Sequence, residues 1–100
     1  MRKVLSVGIV GYGTIGKVLG EKLDSGVDGF KLTAVSSGDL EKAKRKVDEL
    51  EHQVPVLPID ELVALVDVVV ECAPTSAFMS VAEPALKSGK TLLTVSGAAI

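Results

Sequence analysis

Aromatic residues are nearly missing from this chain. It has no tryptophan, one tyrosine and two phenylalanines in 100 residues, so any core must be built from Val, Leu, Ile and Ala. An aliphatic composition of this kind suits a buried parallel sheet with helices packed on it. Cysteine is also scarce. The lone Cys72 permits no internal disulfide, which fits a reducing compartment. One histidine, His52, and one cysteine on different elements leave no expected metal-ligand cluster and no Ser–His–Asp set. Basic residues do not exceed acidic ones, and the net charge of -2 gives no footprint for a polyanion, so nucleic acid is not an expected partner. No apolar run reaches the roughly 18 residues of a membrane helix. The longest, from Leu62 to Val70, is interrupted by Asp67. Met1-Arg2-Lys3 before an apolar stretch imitates a signal peptide, but no small-residue cleavage site follows. A strand explains it better, and the expectation is a soluble, cytoplasmic chain.

What is present is glycine in a particular order. The apolar run Val4 to Val10 leads straight into Gly11-Tyr12-Gly13-Thr14-Ile15-Gly16, and a helical stripe of Ile15, Val18, Leu19 and Leu23 follows. G-x-G-x-x-G between a strand and a helix is a dinucleotide-binding fingerprint. Gly11 permits the tight turn, Gly13 lets a pyrophosphate approach the backbone, and Gly16 lets the helix lie close on the sheet. N–H groups around Thr14 and Ile15 then face the anion.

Periodicity along the chain gives alternating strands and helices. Strands are expected at about 3–10, 31–36, 54–57, 67–72 and 91–96, with the third at an edge because Pro55 cannot donate to a ladder. Helices are expected at about 14–24, 40–51 and 60–65, and a fourth, opened by Ser76, is kinked by Pro84. Leu40, Ala43, Val47 and Leu50 form one face of the second helix, and Asp39 and Asp60 stand where caps belong. Right-handed crossovers then predict an α/β, doubly wound, Rossmann-type parallel sheet of order 3-2-1-4-5, truncated after the fifth strand. The whole chain, 1–100, reads as one dinucleotide-binding domain. It ends in small and apolar residues directly after a strand, so the expectation is that a substrate domain belongs to something longer.

Ligands in such sheets lie beyond the carboxyl ends of the strands. Gly11 to Gly16, Ser36 to Asp39, Cys72 to Ser76, and Ser96 therefore converge. An NAD site places an acid about 20 residues past the glycines. Ser36-Ser37-Gly38 stands there instead, with Lys42 and Arg45 beyond, which leans toward NADP over NAD. Cys72 reads as a small residue closing a buried strand, not a nucleophile. Glu71 reads as a buried carboxylate that needs a partner. No catalytic residue and no metal ligand can be named.

Four stretches carry a resemblance to L-aspartate dehydrogenases. They are Val7 to Gly16, Val68-Val69-Val70-Glu71-Cys72-Ala73, Pro84 to Lys90, and Val95-Ser96-Gly97-Ala98. The resemblance covers nearly the whole chain and implies an NAD(P)-dependent enzyme of aspartate and iminoaspartate. It implies the pyrophosphate at Gly11, Gly13, Thr14, Ile15 and Gly16, the adenosine ribose near Ser36 and Ser37, and the nicotinamide beside Ala73 and Pro74, while Cys72 borders that pocket by position alone and strand five adds Ser96 to the crevice. It also implies a catalytic histidine in a following domain and a homodimer. The chain departs from that family in its last strand, where V-S-G-A-A-I is one residue tighter than the family's usual V-S-V-G-A-L. Glucose–fructose oxidoreductases look similar over the first strand and helix, but their Glu-Lys-Pro after strand five has no counterpart here. A dinucleotide-sensing module without chemistry and a methyltransferase of similar topology are the other readings.

Overall fold

The computed structural model describes residues 4–12, 14–72, 87 and 89–94. Among these residues seven elements follow one another: β1 (Leu5–Val10), α1 (Thr14–Gly26), β2 (Phe30–Ser36), α2 (Leu40–Val47), α3 (Ile59–Leu65), β3 (Val68–Glu71) and β4 (Thr91–Thr94). The described strands form one parallel sheet of order β2-β1-β3-β4. The expected fourth helix with Pro84 lies outside the described residues.

Alternation along β1 explains the two layers. Val7 and Ile9 point to one face, where Leu23 of α1 and Ala43 and Val47 of α2 join them. Val10 points to the other, with Leu62, Val63 and Val66 from α3 and the turn after it. In β2 the pairing steps from Val7↔Leu32 to Gly8↔Ala34, so Thr33 is an extra residue. That bulge puts Leu32 and Val35 on the same face, three positions apart. At the amino ends, Ser6 N–H and Oγ both donate to Asp67 Oδ2 at 3.0 Å, tying β1 to the entrance of β3.

Several expectations are corrected. The 54–57 segment is not a strand but a single parallel bridge, Val35↔Val56. Val35 donates to Pro55 O at 3.1 Å and accepts from Leu57 N–H at 2.8 Å, and the ladder stops there because Pro55 has no donor. The segment does lie beside β2, but among the described residues the sheet has four strands in place of the expected five. Asp60 lies within the first turn of α3, and Pro58 holds the cap position without a side-chain bond. Val18 and Leu40, expected to be buried, are exposed. The face α1 turns inward is Gly16, Leu19, Gly20 and Leu23, because the two glycines let the helix axis approach.

The second helix stops at Val47, four residues short of the expected end. Glu49 N–H and Leu50 N–H bond three residues back, to Lys46 O and Val47 O, which tightens the chain into turns. A distant carboxylate takes the next donors. Asp24 Oδ1 accepts from His52 N–H at 3.1 Å and lies 2.8 Å from His52 Nδ1, while Oδ2 accepts from Glu51 N–H. Burial works against the Asp24 charge, but the bonds from His52 and Glu51 outweigh it and hold its pKa below the ordinary value. A carboxyl whose pKa is lower folded than unfolded gives stability that is complete above its unfolded pKa of about 3.9. That stability is lost as pH falls through the folded value. Urea midpoints measured from pH 7 down to 2 should therefore fall more steeply for the wild type than for Asp24→Asn. Parallel curves would refute the assignment.

Candidate functional site

The carboxyl ends of the strands lie in one row. Ser36 pairs with Val10, Val10 with Glu71, and Glu71 with Thr94. The residues just past that row are Gly11, Ser37 and Cys72, so the fold brings together the described ends of the three segments the sequence singled out after β1, β2 and β3. β1 is the switch point, with β2 on one side and β3 on the other, where α/β sheets open a crevice.

Gly11 turns the chain out of β1 at φ 90°, a conformation L side chains rarely adopt. Its N–H donates to Ser36 O at 2.7 Å, which fastens the turn to the end of β2. On the other side Cys72 N–H donates to Val10 O at 2.8 Å. Helix α1 then begins hard against the turn. A Cβ on Gly16 would stand 2.5 Å from Gly11 O, so only glycine fits. The first turn of α1 contains no acidic residue, so the positive end of this 13-residue helix receives no carboxylate from its own first turn. Thr14 and Ile15 open this helix. Gly13, Ala73, Pro74 and Ser96, also named from the sequence, lie outside the described residues.

The β2 end is closed by local hydrogen bonds. Ser36 is buried. Ser37 Oγ accepts from Asp39 N–H at 3.3 Å, and Asp39 Oδ1 accepts from Lys42 N–H at 3.0 Å. Asp39 therefore caps α2, as its position suggested. Cys72 is half-buried against the core that α1 and α2 share. Burial pushes its thiol up, and the neighbouring Glu71 carboxylate adds to the effect. A thiol held protonated is a poor nucleophile, which agrees with its reading as a packing residue. Glu71 itself is fully buried at the end of β3.

Two features were missed from the sequence. Tyr12, inside the glycine motif, turns its ring into the core over α1, where a Cβ on Gly20 would stand 2.6 Å from the phenol oxygen. A large residue flanked by glycines is the only signal of this. The second is Lys46, whose Nζ donates to Tyr12 O at 3.2 Å. Lys42 and Arg45, further cations of the same helix, are exposed. Donor atoms of Asp24, Glu51 and His52 lie within 4.8 Å of one another. The Asp24 oxygens are already engaged by backbone N–H groups, so the grouping acts as a cap for the 48–52 turns. No helix among the described residues is long and apolar enough to cross a membrane.

Comparison with known proteins bears on this geometry. A family model described as "Homoserine dehydrogenase, NAD binding domain" matches residues 11–100. L-aspartate dehydrogenase of Bradyrhizobium diazoefficiens is 42% identical over 92% of this chain and 32% of its own length. L-aspartate dehydrogenase 3 of Bordetella bronchiseptica is 37% identical over 99% of this chain and 37% of its own. The chain thus spans about a third of the length of the curated relatives it matches. Among solved structures, myo-inositol dehydrogenase from Lactobacillus casei, in complex with NAD(H) and myo-inositol, superposes with a TM-score of 0.82. It is 26% identical, and the match covers 91% of this chain and 28% of that one. Apo scyllo-inositol dehydrogenase from the same organism gives a TM-score of 0.80 at 26% identity, over 94% of this chain and 29% of its own.

Proposed function

The chain belongs to the family of NAD-binding domains described under homoserine dehydrogenase, and from that membership we propose that residues 1–100 are the nicotinamide-dinucleotide-binding domain of an oxidoreductase resembling L-aspartate dehydrogenase. The observation that carries this reading is the Gly11–Gly16 contact, which seats an acid-free helix start against a turn fastened to β2.

In this reading Gly11, Gly13, Thr14, Ile15 and Gly16 hold the pyrophosphate with main-chain N–H groups. Ser36 and Ser37 receive the adenosine ribose, and Cys72, Ala73, Pro74 and Ser96 border the nicotinamide. The bound dinucleotide supplies a hydride acceptor. The chain's own residues bind and orient it. The donor carbon and the exclusion of water belong to a substrate domain outside these residues. The greater identity of the aspartate dehydrogenases, 42% against 26%, favours them over the polyol dehydrogenases as a guide to substrate. A homodimer goes with the same resemblance. The absence of an acid at Ser36 supports acceptance of NADP as well as NAD.

Calorimetric titration of the folded 100-residue chain with NAD and with NADP tests the proposal. Binding of at least one below millimolar concentration is expected, together with no oxidation of aspartate. Failure of both at millimolar levels would overturn the binding site. Appreciable turnover of aspartate would overturn the placement of catalysis elsewhere.

A further inference from the structure

We propose that Lys46 reads the 2′ position of the adenosine ribose and makes this site prefer a dinucleotide carrying a 2′-phosphate. The inference rests on the dinucleotide reading above and names the residue that would set its cofactor class.

Three observations converge on Lys46. The first is its reach. Ala43 and Val47 bury one face of α2 against the sheet, and Lys46, beside Val47, sends its ammonium across to the glycine turn at Tyr12 O. Tyr12 follows Gly11, whose N–H is bonded to Ser36 O at 2.7 Å. The ammonium is therefore tethered to the junction that joins the phosphate turn to the end of β2, where a dinucleotide's adenosine ribose is recognised.

The second is charge. Lys46 is half-buried, and among the described residues no carboxylate pairs with it. Its one hydrogen-bond partner there is a neutral carbonyl. The other cations of α2, Lys42, Lys44 and Arg45, are exposed. A phosphate monoester carries a charge of about −1.5 to −2 at neutral pH, and a charge-assisted hydrogen bond to an ammonium is about twice as strong as a neutral one. A ribose hydroxyl draws far less from the same group.

The third is what occupies the position of the opposing charge. Ser36 stands where an acid would hold a 2′-hydroxyl and repel a 2′-phosphate. Asp39, the nearest carboxylate downstream, is turned to Lys42 N–H as the cap of α2. No carboxylate from this segment therefore competes with a phosphate for Lys46.

The test is titration calorimetry of the whole chain, wild type, Lys46→Met and Lys46→Arg, with NADP and with NAD. The wild type should bind NADP more tightly. Lys46→Met should lose about 10- to 100-fold for NADP, the range one hydrogen bond to a charged group commands. Its affinity for NAD should stay within about threefold, and Lys46→Arg should keep the wild-type ratio. A merely structural lysine would weaken both cofactors together, and that result overturns the proposal, as does an unchanged NADP affinity in Lys46→Met. Should Lys46→Met not fold, the wild type alone decides through adenosine 2′,5′-bisphosphate and adenosine 5′-monophosphate. Equal affinity for these two defeats the Lys46 assignment, whereas binding of neither dinucleotide defeats the underlying site.

Discussion

Gly16→Ala should lower the melting temperature and weaken dinucleotide binding in the same protein. The added Cβ would stand 2.5 Å from Gly11 O and 3.3 Å from Gly11 C, and both atoms are backbone. Neither can swing aside as a side-chain end would. Gly11 is already at φ 90° and its N–H is held by Ser36 O, so its carbonyl has little freedom to swing away from the added methyl group. The remaining relief is to slide α1 away from the sheet, which opens the packing around Leu23. Overpacking of this kind costs about 1–3 kcal/mol. In a domain of this size each kcal/mol is worth about 4–8 °C in melting temperature. Binding should fall by about tenfold or more, since each 1.4 kcal/mol of misaligned contact is a factor of ten. Thermal melts and calorimetry read the two effects separately. A variant that melts and binds like the wild type would mean that α1 does not rest on Gly11.

The second large effect lies on the opposite face. Leu62 is fully buried, and α3 rests it directly over Gly8 of β1, where a Cβ would come 2.6 Å from Leu62 Cδ2 and 2.8 Å from Cγ. Leu62→Ala should cost about 2–5 kcal/mol, the sum of lost transfer energy and a cavity that a β-sheet floor cannot fill. Gly8→Ala should also destabilise, because its methyl group meets the leucine. Together the two changes should cost less than their sum, since the new methyl occupies part of the space that Leu62 vacates. A coupling of about 0.5–3 kcal/mol is expected for such a contacting pair. Urea unfolding of the four proteins measures it. Strict additivity would show that Gly8 and Leu62 do not touch.

The sequence made the parallel sheet legible because β1 is largely apolar, β3 is a run of valines, and helical spacing intervenes between strands. The glycine motif located the turn for a mechanical reason, and Gly11 and Gly16 play those parts. What stayed hidden depends on contacts distant in sequence. The end of α2 is set by Asp24, which takes the N–H groups of Glu51 and His52. Nothing near Asp48 in the sequence announces that. The inner face of α1 was misread at Val18 because glycine counts for nothing in a hydrophobic stripe, yet Gly16 and Gly20 are what let the helix approach. Pro55 argued against a central strand, and it goes further by limiting the 54–57 segment to one bridge. Lys46 was one lysine among several on a charged helix, and only the position of the Tyr12 carbonyl separates it from its neighbours.

Tyr12 is the chain's one tyrosine, there is no tryptophan, and its ring is sealed beneath the glycine turn with 2% exposure. Its phenol finds no hydrogen-bond partner among the described residues. Burial raises its pKa, and Glu21, Asp24 and Glu49 raise it further, so the ring stays un-ionised into alkaline solution while the chain is folded. The molecule therefore contains a built-in optical reporter at the coenzyme turn, whose ultraviolet absorbance and emission follow that turn's integrity with no label attached.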